Sequence, residues 1–202
     1  MLPMRTKPPT MLIALHKPYG VLSQFTSDGT KRTLAGMCPI PDVYAAGRLD
    51  HDSEGLLLLT DDGRLQSAIA DPTHGLAKRY LAQVEGIPEP TTLARITAGV
   101  QIGHGRTAYR TRPASAVRIA EPPLPERVPP IRRRASIPTS WIEIELQEGK
   151  NRQVRRMTAA IGYPTLRLVR VGIGRLDLFD LDLAPGEWAT VDTDRLGMAS
   201  TR

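Results

Sequence analysis

Residues Gly47–Gly63 read GRLDHDSEGLLLLTDDG, an Arg-Leu-Asp triplet, a second pair of acids and four consecutive leucines. Leu56–Leu59 with Thr60 form a short apolar run that ends at an Asp62-Gly63 turn signal. That combination predicts a strand buried on both faces. A buried strand fixes the loop that enters it, and loops held by rigid scaffold are the usual seat of chemistry. Asp50, two residues after Arg48 and just before this strand, is therefore the first candidate catalytic group. The plainer alternative makes Arg48 and Asp50 a structural ion pair, with Asp52 and Glu54 capping or solvating the loop.

The remaining sequence bounds what such a group could serve. The chain has 202 residues, 41% hydrophobic and 24% charged, enough for one globular domain or two closely joined subdomains. Its single cysteine, Cys38, rules out an intramolecular disulfide and fits a reduced cytosol, with the thiol as a small buried hydrophobe. The longest apolar runs, Met11–Leu15 and Leu56–Leu59, are far too short to span a membrane. Residues 1–100 carry 10 basic and 10 acidic side chains, whereas 101–202 carry 17 and 11, so the net charge of +6 lies in the second half. Localised arginine at a sequence pI near 9.8 points to a polyanionic partner, nucleic acid foremost. The four histidines, His16, His51, His74 and His104, lack the spacing of metal ligands.

Outward from the central strand, the pattern alternates strands with short helices. Met1–Thr10 is expected to be a disordered tail, Met11–Leu15 a first strand, His16–Gly20 a turn, Val21–Phe25 extended chain and Thr33–Cys38 a short helix. Arg64–Ala70 fits a helix stopped by Asp71-Pro72. Lys78-Arg79-Tyr80 leads into a strand over Leu81–Val84, and Glu89–Ala98 reads as a helix with Leu93 and Ile96 inward. Weak alternation over Val100–Ala116 predicts strands. Glu121–Pro138 holds six prolines and Arg132-Arg133-Arg134, and reads as an extended connector with a basic cluster. Ser140–Gln147 alternates as a half-buried strand. Asn151 is a candidate N-cap for a helix over Arg152–Ile161, whose stripe Val154, Met157 and Ile161 leaves Arg152, Arg155 and Arg156 off the buried face. Strands follow over Thr165–Val171, within Ile173–Leu183 and over Trp188–Val191, and Arg195–Arg202 is expected to fray.

Three separated stretches, taken in order, resemble one family. GRLD followed by S-E-G-L-L-L-L-T, the opening HKPYGVL and the later NRQVRRM with YPTLRL are similar to the motifs of the A-type pseudouridine synthases of the small ribosomal subunit. The resemblance covers roughly Leu12–Asp192. PPIRRRASIPTSW before the last motif looks like an insertion of the subgroup acting on large-subunit ribosomal RNA, the E type. The resemblance implies that Asp50 is the nucleophile, that Tyr80 sits against the target base, that Arg155 pairs with Asp50 and that Leu168 shapes the base pocket. It further implies substrate-binding roles for Arg48, Arg152, Arg156, Arg167 and Arg170, the last two and Arg152 as phosphate contacts. No chemistry is assigned to Lys17 or Tyr19. His51 and Asp61 depart from the commoner arginine and asparagine. Many relatives begin with a small RNA-binding module, and the short segment before the first strand leads us to expect none here.

The implied fold is α+β: a mixed, mostly antiparallel sheet flanked by helices, in two subdomains with an RNA cleft between them, over residues 11–194. The implied reaction isomerises uridine to pseudouridine in ribosomal RNA, in the cytosol, by a monomer needing neither metal nor organic cofactor. A carboxylate suits it, as in glycoside chemistry, and the uridine must be unpaired or flipped out. Two other classes compete. A non-catalytic RNA-binding or ribosome-assembly protein would not need a carboxylate facing an anionic ligand. A glycosidase or nuclease would want a second catalytic carboxylate, for which Asp52 or Glu54 would have to serve, or a metal site.

Overall fold

The computed structural model describes residues 10–27, 29–131, 134 and 136–198. In chain order the elements are β1 (Leu12–Lys17), β2 (Val21–Leu22), β3 (Arg32–Thr33), β4 (Tyr44–Ala46), β5 (Glu54–Thr60), α1 (Gly63–Ala70), β6 (Lys78–Glu85), α2 (Pro90–Thr97), β7 (Gln101–Ile102) and β8 (Tyr109–Arg110). There follow β9 (Ser115–Ile119), β10 (Thr139–Leu146), α3 (Gln153–Ala160), β11 (Thr165–Ile173), β12 (Leu176–Asp177) and β13 (Trp188–Thr190). One nine-stranded sheet runs β13-β1-β5-β11-β6-β10-β9, with β4 added beside β5 and β12 beside β11. It is α+β and mostly antiparallel, as expected.

The leucine run is the pivot of this sheet. Every residue of β5 is buried. Because successive side chains of a strand point to opposite faces, Leu57 and Leu59 enter one apolar cluster with Ile13, Leu15, Tyr80 and Leu168, while Leu56 and Leu58 enter the other with Ala14, Val169 and Val171. Four leucines in a row thus serve two cores. The two expected subdomains take the form of two halves of one sheet. They meet where β5 and β11 pair in parallel over only Val169–Glu54 and Arg170–Gly55. Gly55 makes this seam possible: its φ is +103°, and a Cβ there would lie 2.2 Å from the Arg170 carbonyl oxygen.

The helices form largely where expected, with different ends. Asp62 does more than turn the chain, since its Oδ1 accepts from the Arg64 and Leu65 amides at 2.8 and 3.1 Å and caps α1. On α2, Leu93 and Ile96 are the buried pair. Asn151 is not the cap of α3. Arg152 occupies that position with a left-handed backbone, φ +50° and ψ +34°, and Asn151 Oδ1 accepts instead from Arg156. The free Lys150 amide is taken by Gln153 Oε1 at 3.0 Å. Cys38 is buried and unpaired, as read from the sequence.

Several expectations are corrected. Extended chain after the first turn stops at Leu22, and the helix expected at 33–38 is a single 3-10 turn, Leu34–Gly36. Residues 195–198 are not frayed: a 3-10 turn, Thr193–Leu196, seats Leu196 in the second core at 1% exposure. The expected tail at 1–9, Arg132, Arg133 and the terminal residues 199–202 lie outside the described residues. Among described residues of the proline-rich connector no helix or strand occurs, and Arg134 reaches Glu85 at 3.3 Å.

Candidate active site

The loop between β4 and β5 is pinned from several sides, so Asp50 has a defined position. Ser23 Oγ donates to the Leu49 carbonyl at 2.8 Å and accepts from the Leu49 amide at 3.1 Å. The Gly20 amide, at the end of the HKPYG turn, donates to the His51 carbonyl, and the Ser53 amide closes a turn onto the Asp50 carbonyl. Lys17 stiffens the same turn from below: its fully buried Nζ donates to the Val21 and Pro18 carbonyls at 2.7 and 3.0 Å. Burial lowers this ammonium to about pH 8, although Glu54, Asp52 and Asp50 oppose the shift. The opening motif is therefore a platform for the Asp50 loop.

Asp50 faces a cavity of about 690 Å³ whose lining also includes Arg48, Tyr80, Arg152 and Leu168. These side chains come from the loop before β5, from β6, from the start of α3 and from β11, on both sides of the sheet's seam. Tyr80 and Leu168 are 9% and 4% exposed and form the apolar floor. Arg48 is exposed at the rim and, among the described residues, makes neither a hydrogen bond nor an ion pair. It does not pair with Asp50.

Asp52, weighed in the sequence only as a cap or a second acid, is the centre of the charged network. Its carboxylate takes a bidentate pair from Arg152 at 2.7 and 2.8 Å and lies 3.4 Å from Arg155 Nε. Burial alone would raise this carboxyl, but the Arg152 hydrogen bonds and the two guanidinium charges outweigh it and hold Asp52 below its ordinary range. Arg152 also reaches to 3.8 Å from Asp50 Oδ2. Its left-handed backbone costs about 1–2 kcal/mol for a non-glycine residue, and the Asp52 fork is the contact that holds it there.

Arg155, expected on Asp50, is instead 2.6 Å from the Asp52 carbonyl and 3.3 Å from the Thr165 carbonyl. It ties α3 to the loop and to β11. Arg156 is exposed and bonds Asn151 at 3.3 Å. Arg167 and Arg170 are not phosphate contacts, being only 6% and 2% exposed. Arg167 lies next to Leu168 and so on the opposite face of β11, where it forms a fork of 2.9 and 2.9 Å with buried Glu54 and donates to the Pro125 carbonyl. Arg170 donates to the Leu56 carbonyl at 2.8 Å and leans on the Gly47 carbonyl, bracing the loop from beneath.

Glu148 was not foreseen either. It is buried beside the cavity and accepts from the Tyr109 hydroxyl, the Arg112 amide and Gln153 Nε2, the last at 2.6 Å. Burial raises its carboxyl, yet those donors outweigh it and leave it lowered. Its only sequence signal was an acid placed just before an arginine-rich helix. Among the described residues no group of His, Cys, Asp and Glu side chains could hold a metal ion.

A loop aspartate, an apolar floor and a basic rim thus share one cavity. The sequence matches the RNA pseudouridylate synthase family over residues 11–160. The chain belongs to this family. It is an isomerase, and its synthase fold extends beyond the matched segment. The synthase is 53% identical to the ribosomal large subunit pseudouridine synthase E of Xanthomonas campestris pv. campestris, over 90% of this chain and 96% of that one. Against the ribosomal large subunit pseudouridine synthase B of Bacillus subtilis the identity is 35%, over 81% of this chain and 62% of that one. A solved pseudouridylate synthase superposes with a TM-score of 0.74 at 27% identity, covering 94% of this chain and 73% of the other.

Proposed function

We propose that this synthase converts one uridine of large-subunit ribosomal RNA to pseudouridine, with the Asp50 carboxylate as nucleophile. The observation that carries the reading is the convergence of Asp50, Tyr80 and Leu168, from three distant stretches, on one cavity of about 690 Å³. That size suits a single extruded nucleotide. Likeness to the E-type relative supports ribosomal RNA as the substrate class. All of these side chains come from one chain, so a monomer suffices, and ribosomal RNA puts the reaction in the cytosol.

The chemistry is balanced within one nucleoside. The C1′–N1 bond breaks, the uracil turns in place and C1′–C5 forms; C5 loses its proton and N1 gains one. Asp50 acts at the sugar while the bond to the base is broken. Tyr80 stacks against the detached uracil, and Leu168 closes the dry wall that keeps it from diffusing away. Arg152, held by Asp52, sets the field at Asp50, and Arg48 meets the backbone phosphate at the rim. Arg155 positions the loop through Asp52.

The test is carbodiimide labelling with reverse-transcription stops on unmodified large-subunit ribosomal RNA, incubated with wild type or Asp50→Asn. One new stop with wild type alone is expected and would identify the uridine. Product formed by Asp50→Asn would remove this carboxylate from the mechanism. Salt-sensitive RNA binding without any stop would favour a non-catalytic RNA-binding protein on the same fold.

A further inference from the structure

Beside the catalytic cavity lies a second groove of about 560 Å³, and the two share Ser23, Ala45, Arg48 and Gln66 along a common wall. The groove is more apolar than the cavity. Phe25, Ile40 and Val43 line it, and Tyr44 stands at its edge with 58% of its surface exposed. Tyr44 thus offers an open aromatic face directly beside the catalytic cavity. It lies on β4, an edge strand whose one strand partner among the described residues is β5. Gln66 donates to the Ala45 carbonyl at 3.0 Å and fixes that strand against α1. The groove is thus preformed.

We propose that this groove is a flanking-nucleotide subsite: Tyr44 stacks on the base next to the target uridine, and Arg48 meets the phosphate that joins the two nucleotides. The inference rests on the proposed RNA substrate and deepens it. Three observations favour RNA over an apolar protein partner. The groove is continuous with the cavity that takes the uridine, it presents an aromatic face of the kind that stacks on any base, and its shared wall carries Arg48, a cation unpaired among the described residues.

Affinity for a large-subunit ribosomal RNA transcript, read by filter binding in an Asp50→Asn background, does not depend on turnover. Adding Tyr44→Ala is expected to weaken binding about 5- to 150-fold, the range of base–aromatic stacking, whereas Tyr44→Phe should bind like the parent. In the catalytically intact protein, Tyr44→Ala should raise KM by a similar factor and leave kcat within about twofold. Once the uridine is mapped, an abasic nucleotide on one side of it should cause the same loss in wild type and no further loss in Tyr44→Ala. Unchanged RNA affinity on Tyr44→Ala, a loss confined to kcat, or abasic and Tyr44→Ala losses that add independently would each overturn the subsite. Failure of wild type to form pseudouridine would instead sink the catalytic reading, and the binding comparison would still judge the groove.

Discussion

Replacing Arg167 by leucine separates two roles that an arginine in a basic region can play. Its side chain is 7% exposed, that of Glu54 is 5%, and the two are joined by a planar fork with both contacts at 2.9 Å. Removing one partner of a buried pair leaves the other charge stranded in low dielectric and costs about 3–5 kcal/mol. For a domain of this size each kcal/mol moves the melting temperature by about 2–4 °C, so Arg167→Leu should melt roughly 6–20 °C lower. RNA binding, read by filter retention across a salt series, should keep its slope, because no phosphate contact has been lost. A phosphate-binding arginine would behave in the opposite way: little change in melting, and a fall in the slope of about 0.7–0.9. The paired variant Glu54→Leu/Arg167→Leu should recover most of the lost stability, since both buried charges are gone. An Arg167→Leu protein that melts like wild type but loses salt dependence would refute the structural assignment.

Other outcomes follow from the same geometry. Lys17 and Lys78 are lowered by burial to about pH 8 from 10.5, so the unfolded chain binds more protons between those values. Their contribution to stability therefore rises from pH 8 to 10.5. Urea unfolding should show this rise, and Lys78→Met should flatten it; an equal slope in the variant would deny Lys78 a part. Asp52→Asn breaks the charged fork with Arg152 and the single ion contact with Arg155, and a misplaced charge at the site should lower kcat about 10- to 100-fold with melting changed far less, read by single-turnover kinetics and calorimetry. Gly55→Ala forces a Cβ into the Arg170 backbone at a positive φ and should cost more than about 2 kcal/mol, visible as a lower urea midpoint.

Local patterns are legible wherever the physics is local. Leu56–Leu59 read as a strand because an apolar run of that length needs cover on two faces, and Ile142, Ile144 and Leu146 read as one buried face because strand residues alternate. Asp50 could be singled out as a candidate because a motif preserves its order along the chain. Cap positions were less legible: Asn151 has the right side chain for a cap, yet Arg152 takes the place, held by Asp52 a hundred residues away in the chain.

What the sequence by itself determined is the family, the main strands and helices of the sheet, and the candidacy of Asp50, Tyr80 and Leu168. What only the tertiary structure decided is the task of each arginine. A guanidinium takes its role from whichever carboxylate, carbonyl or solvent lies within hydrogen-bond reach, and that neighbour comes from elsewhere in the chain. Arg167 and Leu168 are adjacent in sequence, but the pleat of β11 sends one to Glu54 in a buried pair and the other to the floor of the cavity. Arg152 and Arg155 both meet Asp52, and Arg152 alone also reaches Asp50, because the turn after Asp50 carries that second carboxylate toward the start of α3.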